Sequence, residues 1–88
     1  MKVIYLRSVA KDVKKIKDPK LKDKILSVIK EMKEASKLEE LRSLKKLTGH
    51  PTAYRIRIGD YRLGFYFEDG TIMLARFLKR SDIFKVFP

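Results

Sequence analysis

Ala53-Tyr54-Arg55-Ile56-Arg57-Ile58-Gly59-Asp60-Tyr61-Arg62-Leu63-Gly64-Phe65-Tyr66-Phe67 is the stretch that decides the fold. Apolar and polar side chains alternate on both sides of Gly59-Asp60, which is the period of a strand. A two-residue break of this composition is that of a tight hairpin turn. Closing the turn there opposes Ile58 to Tyr61, Arg57 to Arg62 and Arg55 to Gly64. One face of the hairpin is then apolar, and the other presents Arg55, Arg57 and Arg62 around a glycine, with Tyr66 beyond. Three like charges side by side cost stability on a free sheet, so their placement points to a site that holds an anion.

Downstream, a turn at Glu68-Asp69-Gly70 leads into Thr71 to Lys79, whose two apolar faces predict a central strand. Arg76 interrupts it. Its face depends on whether the turn has two residues or three with a bulge, and both readings stay open. Lys79-Arg80-Ser81-Asp82-Ile83-Phe84 leaves the sheet through a turn, with Arg80 near its edge. Upstream, Ser36 to Thr52 is a loose stretch whose Leu38, Leu41, Leu44 and Leu47 suit a short helix and an extended arm over the core. Before it come two amphipathic helices. The first is capped by Ser8 and runs to about Lys17 with Val9, Val13 and Ile16 on one face. The second starts at the Asp18-Pro19 break and runs to about Ala35 with Leu21, Ile25, Val28, Ile29 and Met32 as its stripe. Lys2 to Leu6 reads as a strand. The order β-α-α-β-β-β predicts a single α+β domain over residues 1–88. Its antiparallel sheet of about four strands has two N-terminal helices packed on one face and the Arg face open.

Composition limits the chemistry. The 88 residues include 22 Lys and Arg against 11 Asp and Glu, a net charge of +11 that favours a polyanionic partner. The two basic types are segregated: of 15 Lys only Lys79 and Lys85 follow residue 50, whereas five of seven Arg do. Lysine on a helix is a solvated charge, while arginine offers a planar fork for phosphate, so the second half is where a phosphate site belongs. Absence of cysteine and a single histidine, His50, exclude a disulfide scaffold, a Cys-based zinc site, a thiol nucleophile and a two-His acid/base pair. No apolar run approaches a membrane span or a signal peptide, and the expectation is a cytoplasmic protein with no metal or cofactor. Cleavage of RNA stays open, because RNA brings its own nucleophile in the 2′-hydroxyl. Clustered arginines suit the extra charge on the phosphate in that transition state but are poor proton carriers. Tyr66, Lys45, Lys46 and His50 are the candidates for moving protons. His50 in Gly-His-Pro reads first as a loop residue, and Tyr54 and Tyr61 as core.

Lys46-Leu47-Thr48-Gly49, the hairpin Tyr54-Arg55-Ile56-Arg57-Ile58-Gly59-Asp60-Tyr61-Arg62-Leu63 and the closing Lys79-Arg80-Ser81-Asp82-Ile83-Phe84 resemble the RelE/ParE toxin superfamily of type II toxin–antitoxin systems. The resemblance covers nearly the whole chain. It implies a RelE-like fold and, for RelE-type members, ribosome-dependent endoribonuclease activity on messenger RNA by 2′-hydroxyl attack, with an antitoxin as partner beside ribosome and message. By position it implies phosphate-stabilising roles for Arg57, Arg62 and Arg80, with Arg76 as a second candidate for the late-strand arginine. RNA contacts fall to Arg55, Lys45, Lys46, Lys79, Tyr66 and Phe84. Phe84 stands where the family has a tyrosine, and Lys79 where it often has a histidine. A phenylalanine stacks on a base but moves no proton, which leaves that task to Lys79 or Tyr66. Two alternatives come with the resemblance: a ParE-like inhibitor of DNA gyrase, and a catalytically weakened homologue that mainly binds its antitoxin.

Overall fold

The hairpin closes at the expected turn. In the computed structural model, which describes residues 1–88, Gly59 alone of the two turn residues has a positive φ, +60°, the pattern of a type II′ turn. Arg57 therefore faces Arg62, and Arg55 faces Gly64. The elements are β1 (Lys2–Tyr5), α1 (Arg7–Lys14), α2 (Pro19–Glu34), a 3-10 turn (Leu38–Glu40), β2 (Leu44–Lys46), β3 (Ala53–Ile58), β4 (Tyr61–Glu68), β5 (Thr71–Lys79) and α3 (Arg80–Val86). They build one sheet in the order β1-β5-β4-β3-β2.

Two features of the sheet differ from expectation. It has five strands, because Leu44–Lys46 of the extended arm pairs with β3, and it is mixed, because β1 runs parallel to β5. The two helices after β1 carry the chain across to the opposite edge, where β2 begins, and the three antiparallel steps back to β5 bring it beside β1 in the same direction. Their stripes fill the core expected of them. Val9 and Ile16 from the first helical segment and Ile25, Ile29 and Met32 from α2 cover Ile56, Ile58, Leu63, Phe65, Ile72, Leu74 and Phe77. Asp18 accepts from the Lys20 amide and caps α2, with Pro19 in its first turn.

The turn into β5 has two residues, Asp69 and Gly70, both with positive φ, and the bulge lies further along. Phe65 pairs with Leu74 but Gly64 pairs with Arg76, so Ala75 is the extra residue. Without that insertion Arg76 would oppose Leu63 on the apolar face and Phe77 would leave the core. The bulge exchanges them: Phe77 is buried and Arg76 reaches the sheet edge.

That edge explains two residues of α1. β1 covers β5 only as far as Leu74, which accepts from the Leu6 amide. Beyond it the backbone of β5 would be left unpaired, and α1 supplies the partners. Ser8 donates from Oγ to the Ala75 carbonyl at 2.6 Å, and Asp12 accepts the Phe77 amide at 2.9 Å. Ser8 is thus not the helix cap expected of it; Leu6 holds that position without a side-chain bond, and α1 ends at Lys14 rather than Lys17. The closing segment differs as well, because Arg80–Val86 is a helix rather than a turn. It buries Ile83, with Phe87 just after it, against Leu47, Ala53 and Ala75. The Arg face is therefore partly roofed and becomes a groove.

Candidate functional site

The groove, of about 1260 Å³, is bounded by β2 and the residues before it, by the β3–β4 hairpin and by the start of α3. Lys45, Arg55, Arg57, Arg62, Lys79, Arg80 and Phe84 line it, and Asp60 is its only acid. Strand register places these side chains together. Lys45 pairs with Arg55, Arg57 with Arg62, and Lys79 with Tyr61 beside the turn. The Arg80 amide donates to the Asp60 carbonyl at 3.0 Å, which ties the start of α3 to the hairpin.

Arg55 is the least ordinary of these residues. It is 9% exposed, and its Nε is buried with no hydrogen-bond partner. An orphaned donor of this kind is uncommon, and it is free to donate to an anion that enters the groove. The guanidinium carbon of Arg55 lies 4.4 Å from the centroid of the Phe84 ring, and that of Arg80 lies 5.6 Å from the same centroid. Phe84 is itself 55% exposed, so the aromatic holds cations while leaving area to solvent. Burial first, then the charges of Arg62 and Arg80, pull the Arg55 pKa below the ordinary arginine value. Arg62 is lowered too, by desolvation and then by Arg57 and Arg80, with Asp60 acting the other way. Arg62 is oriented by donating from Nη1 to the Gly59 and Tyr61 carbonyls at 3.1 and 2.9 Å. An anion in the groove would offset the mutual repulsion and give the buried Nε an acceptor.

Of the other residues suggested by sequence, Arg76, Tyr66, Lys46 and His50 lie elsewhere. Arg76 is bidentate on Asp12, with Nε and Nη2 at 2.8 and 3.1 Å from its oxygens, and this contact raises its pKa. Tyr66 packs against Phe87, ring centroids 5.2 Å apart. Lys46 pairs with Tyr54 and lines a separate hollow with His50, so the alternation of β2 sends only Lys45 into the groove. Tyr54 and Tyr61 join the core, stacked on Phe65 and Phe77. Sequence reasoning missed Ser81, which lines the groove, and the roofing role of Ile83 and Phe87.

A family model described as the ParE toxin of type II toxin–antitoxin systems, parDE, matches residues 3–84. The chain belongs to this toxin family. It is 34% identical to toxin RelE3 of Methanocaldococcus jannaschii over the full length of both. Among solved structures it is similar to a chain of the RelB-RelE antitoxin-toxin complex from Methanococcus jannaschii, at 29% identity and a TM-score of 0.82, covering 97% of this chain and 99% of that one. The YoeB dimer from Staphylococcus aureus shares the fold, with a TM-score of 0.72 at 23% identity over 90% of this chain and 94% of that one. The RelE-like α+β fold is thereby established, its order matching the expected one up to the added strand and the closing helix, and the chain is a RelE-like type II toxin. No helix is long and apolar enough to cross a membrane.

Proposed function

We propose that this toxin is a ribosome-dependent endoribonuclease that cuts messenger RNA in the cytoplasm through the message's own 2′-hydroxyl. The observation that carries the reading is the groove itself, where Arg55, Arg57, Arg62 and Arg80 converge around an orphaned buried donor. In the reaction the 2′-hydroxyl loses its proton, the oxygen attacks the adjacent phosphorus, and the bond to the 5′ oxygen breaks as that oxygen takes up a proton. The products are a 2′,3′-cyclic phosphate and a 5′-hydroxyl. Charge building on the phosphate oxygens meets fixed guanidinium groups, which need little reorganisation to stabilise it. Arginine carries out neither proton transfer. Of the proton carriers put forward from sequence, Lys45 and Lys79 line the groove, Lys45 beside Arg55. Phe84 holds Arg55 and offers its free area to a base.

A reconstituted translation reaction tests this. Added toxin should fragment the message only when ribosomes are present, and supercoiling by DNA gyrase should be unaffected. Intact message at saturating toxin, together with trapped gyrase–DNA complexes, would replace this reading with the ParE-like one suggested by the family name. Intact message with gyrase also untouched would leave a toxin homologue that serves antitoxin binding.

The partner we propose is an antitoxin that sets an acidic segment into this same groove, as the net charge of +11 favours. RelB-RelE of Methanococcus jannaschii, an antitoxin-toxin complex, provides the parallel for the class of partner. Association should slow by about tenfold or more between low and physiological salt, because a steered encounter is screened over about 8–10 Å. Stopped-flow mixing at two salt concentrations measures it, and a rate flat with salt would indicate a mainly apolar interface.

A further inference from the structure

Gly64 lies on β4 opposite Arg55, at a position where its backbone does not require glycine, since its φ lies outside the left-handed region. Its reason is steric. A Cβ at this position would stand 2.7, 2.8 and 2.9 Å from Cδ2, Cε2 and Cγ of Phe87, closer than side chains tolerate. The Phe87 ring thus lies directly on the bare backbone of β4, 5% exposed, with Tyr66 tilted against it.

We infer that Phe87 is a positioning residue: its seat on Gly64 fixes α3 and thereby the place of Arg80 and Phe84 in the groove. α3 has seven residues, too few to hold a helical shape or a position by itself. Its start is bound to Asp60 through the Arg80 amide, and its body is anchored by Ile83, which is fully buried. Phe87 provides the second apolar anchor, one residue past the helix end, where its amide donates to the Ile83 carbonyl. Phe84 and Val86 point away from this interior at 55% and 49% exposure. Between the anchors the helix carries the Phe84 ring over Arg55 and holds Arg80 beside it. Seating a ring on a Cβ instead of a Cα would lift the end of α3 by about 1 Å, a displacement of the size that misaligns a preorganised site. Gly64 is therefore a specific requirement of the groove, and its place across from Arg55 puts any displacement beside the most buried of the cations.

Binding of inorganic tripolyphosphate to the full chain, followed by calorimetry below the melting midpoint of every variant, tests this without ribosomes. Mere loss of stability does not change affinity under those conditions. Gly64→Ala should weaken binding about tenfold. Phe87→Leu, which keeps an apolar anchor with a smaller body, should lose less, and the double variant Gly64→Ala/Phe87→Leu should recover most of the affinity. Phe87→Ala, which introduces no clash, should weaken binding whether or not Gly64→Ala folds. Affinity unchanged in Phe87→Ala, or losses in the double variant that simply add, would overturn the role. The consequence for turnover rests on the RNA-cleavage reading above, and the two fail separately. A wild-type chain that binds tripolyphosphate in a Phe87-dependent way but cuts no message refutes the activity and supports the positioning. A chain that cuts message equally well with Phe87→Ala refutes the positioning alone.

Discussion

Arg55→Met should lower ribosome-dependent cleavage about a hundredfold or more while making the folded protein about 1 kcal/mol more stable. The two effects have opposite signs because Arg55 is costly to the free toxin. Its Nε is buried without an acceptor, and Arg62 and Arg80 repel its charge. A methionine of similar reach fills the space under Phe84 and leaves no polar atom unsatisfied. The loss is the cation at the centre of the groove, where one preorganised donor to a developing phosphate charge is worth about 2.7–4 kcal/mol. Arg57→Ala is the comparison: it too removes a groove charge, but from an exposed position, so stability should stay within about 0.5 kcal/mol. Denaturant titration and the message-cleavage assay on the same preparations measure both. If Arg55→Met loses stability along with activity, Arg55 serves the fold rather than the phosphate.

Asp12→Ala should cost about 3 kcal/mol or more of folding stability, a large share of the ~5–15 kcal/mol typical of a domain. Asp12 is 5% exposed and accepts three bonds, two from Arg76 and one from the Phe77 amide. Removing it orphans a buried amide at the β5 edge and leaves a guanidinium without its partner. Asp12→Asn, which keeps one acceptor oxygen, should lose less. Arg76→Ala should destabilise as well, yet the folded fraction should cleave message within about twofold of wild type, because Arg76 does not line the groove. A hundredfold loss of cleavage in stably folded Arg76→Ala would return that arginine to the site. Denaturant unfolding of these three variants and of the Asp12→Ala/Arg76→Ala double variant that completes the cycle, with the message-cleavage assay on Arg76→Ala, separates these outcomes.

Arg57 facing Arg62 could be foreseen because a two-residue turn fixes every pair along a hairpin, and Gly59-Asp60 marks such a turn. Arg76 could not be assigned, because its side depends on the Ala75 bulge, and a bulge that lets Ser8 and Asp12 satisfy the β5 edge has no local sequence mark. Lys45 and Lys46 were equivalent for a similar reason. Three residues of a loose segment become β2 only through pairing with β3, and the register of that pairing decides which lysine enters the groove. The parallel placement of β1 is likewise a property of its partner rather than of Lys2–Tyr5. α3 escaped notice because seven residues show barely two helical turns, and its anchors, Ile83 and Phe87, acquire meaning only against Ala75 and Gly64. The arginine set of the hairpin was readable because it is local, whereas the walls that turn an arginine face into a groove come from distant segments.

The most direct measurement uses a message carrying a single 2′-deoxynucleotide on the 5′ side of the bond that the toxin cuts in the all-ribose form, translated with ribosomes and the wild-type chain. The all-ribose message should be cut to a 2′,3′-cyclic phosphate end, with no cleavage at the deoxy position and neighbouring positions unaffected. Cleavage at the deoxy position, or an all-ribose message that stays intact at saturating toxin, would contradict cleavage through the 2′-hydroxyl.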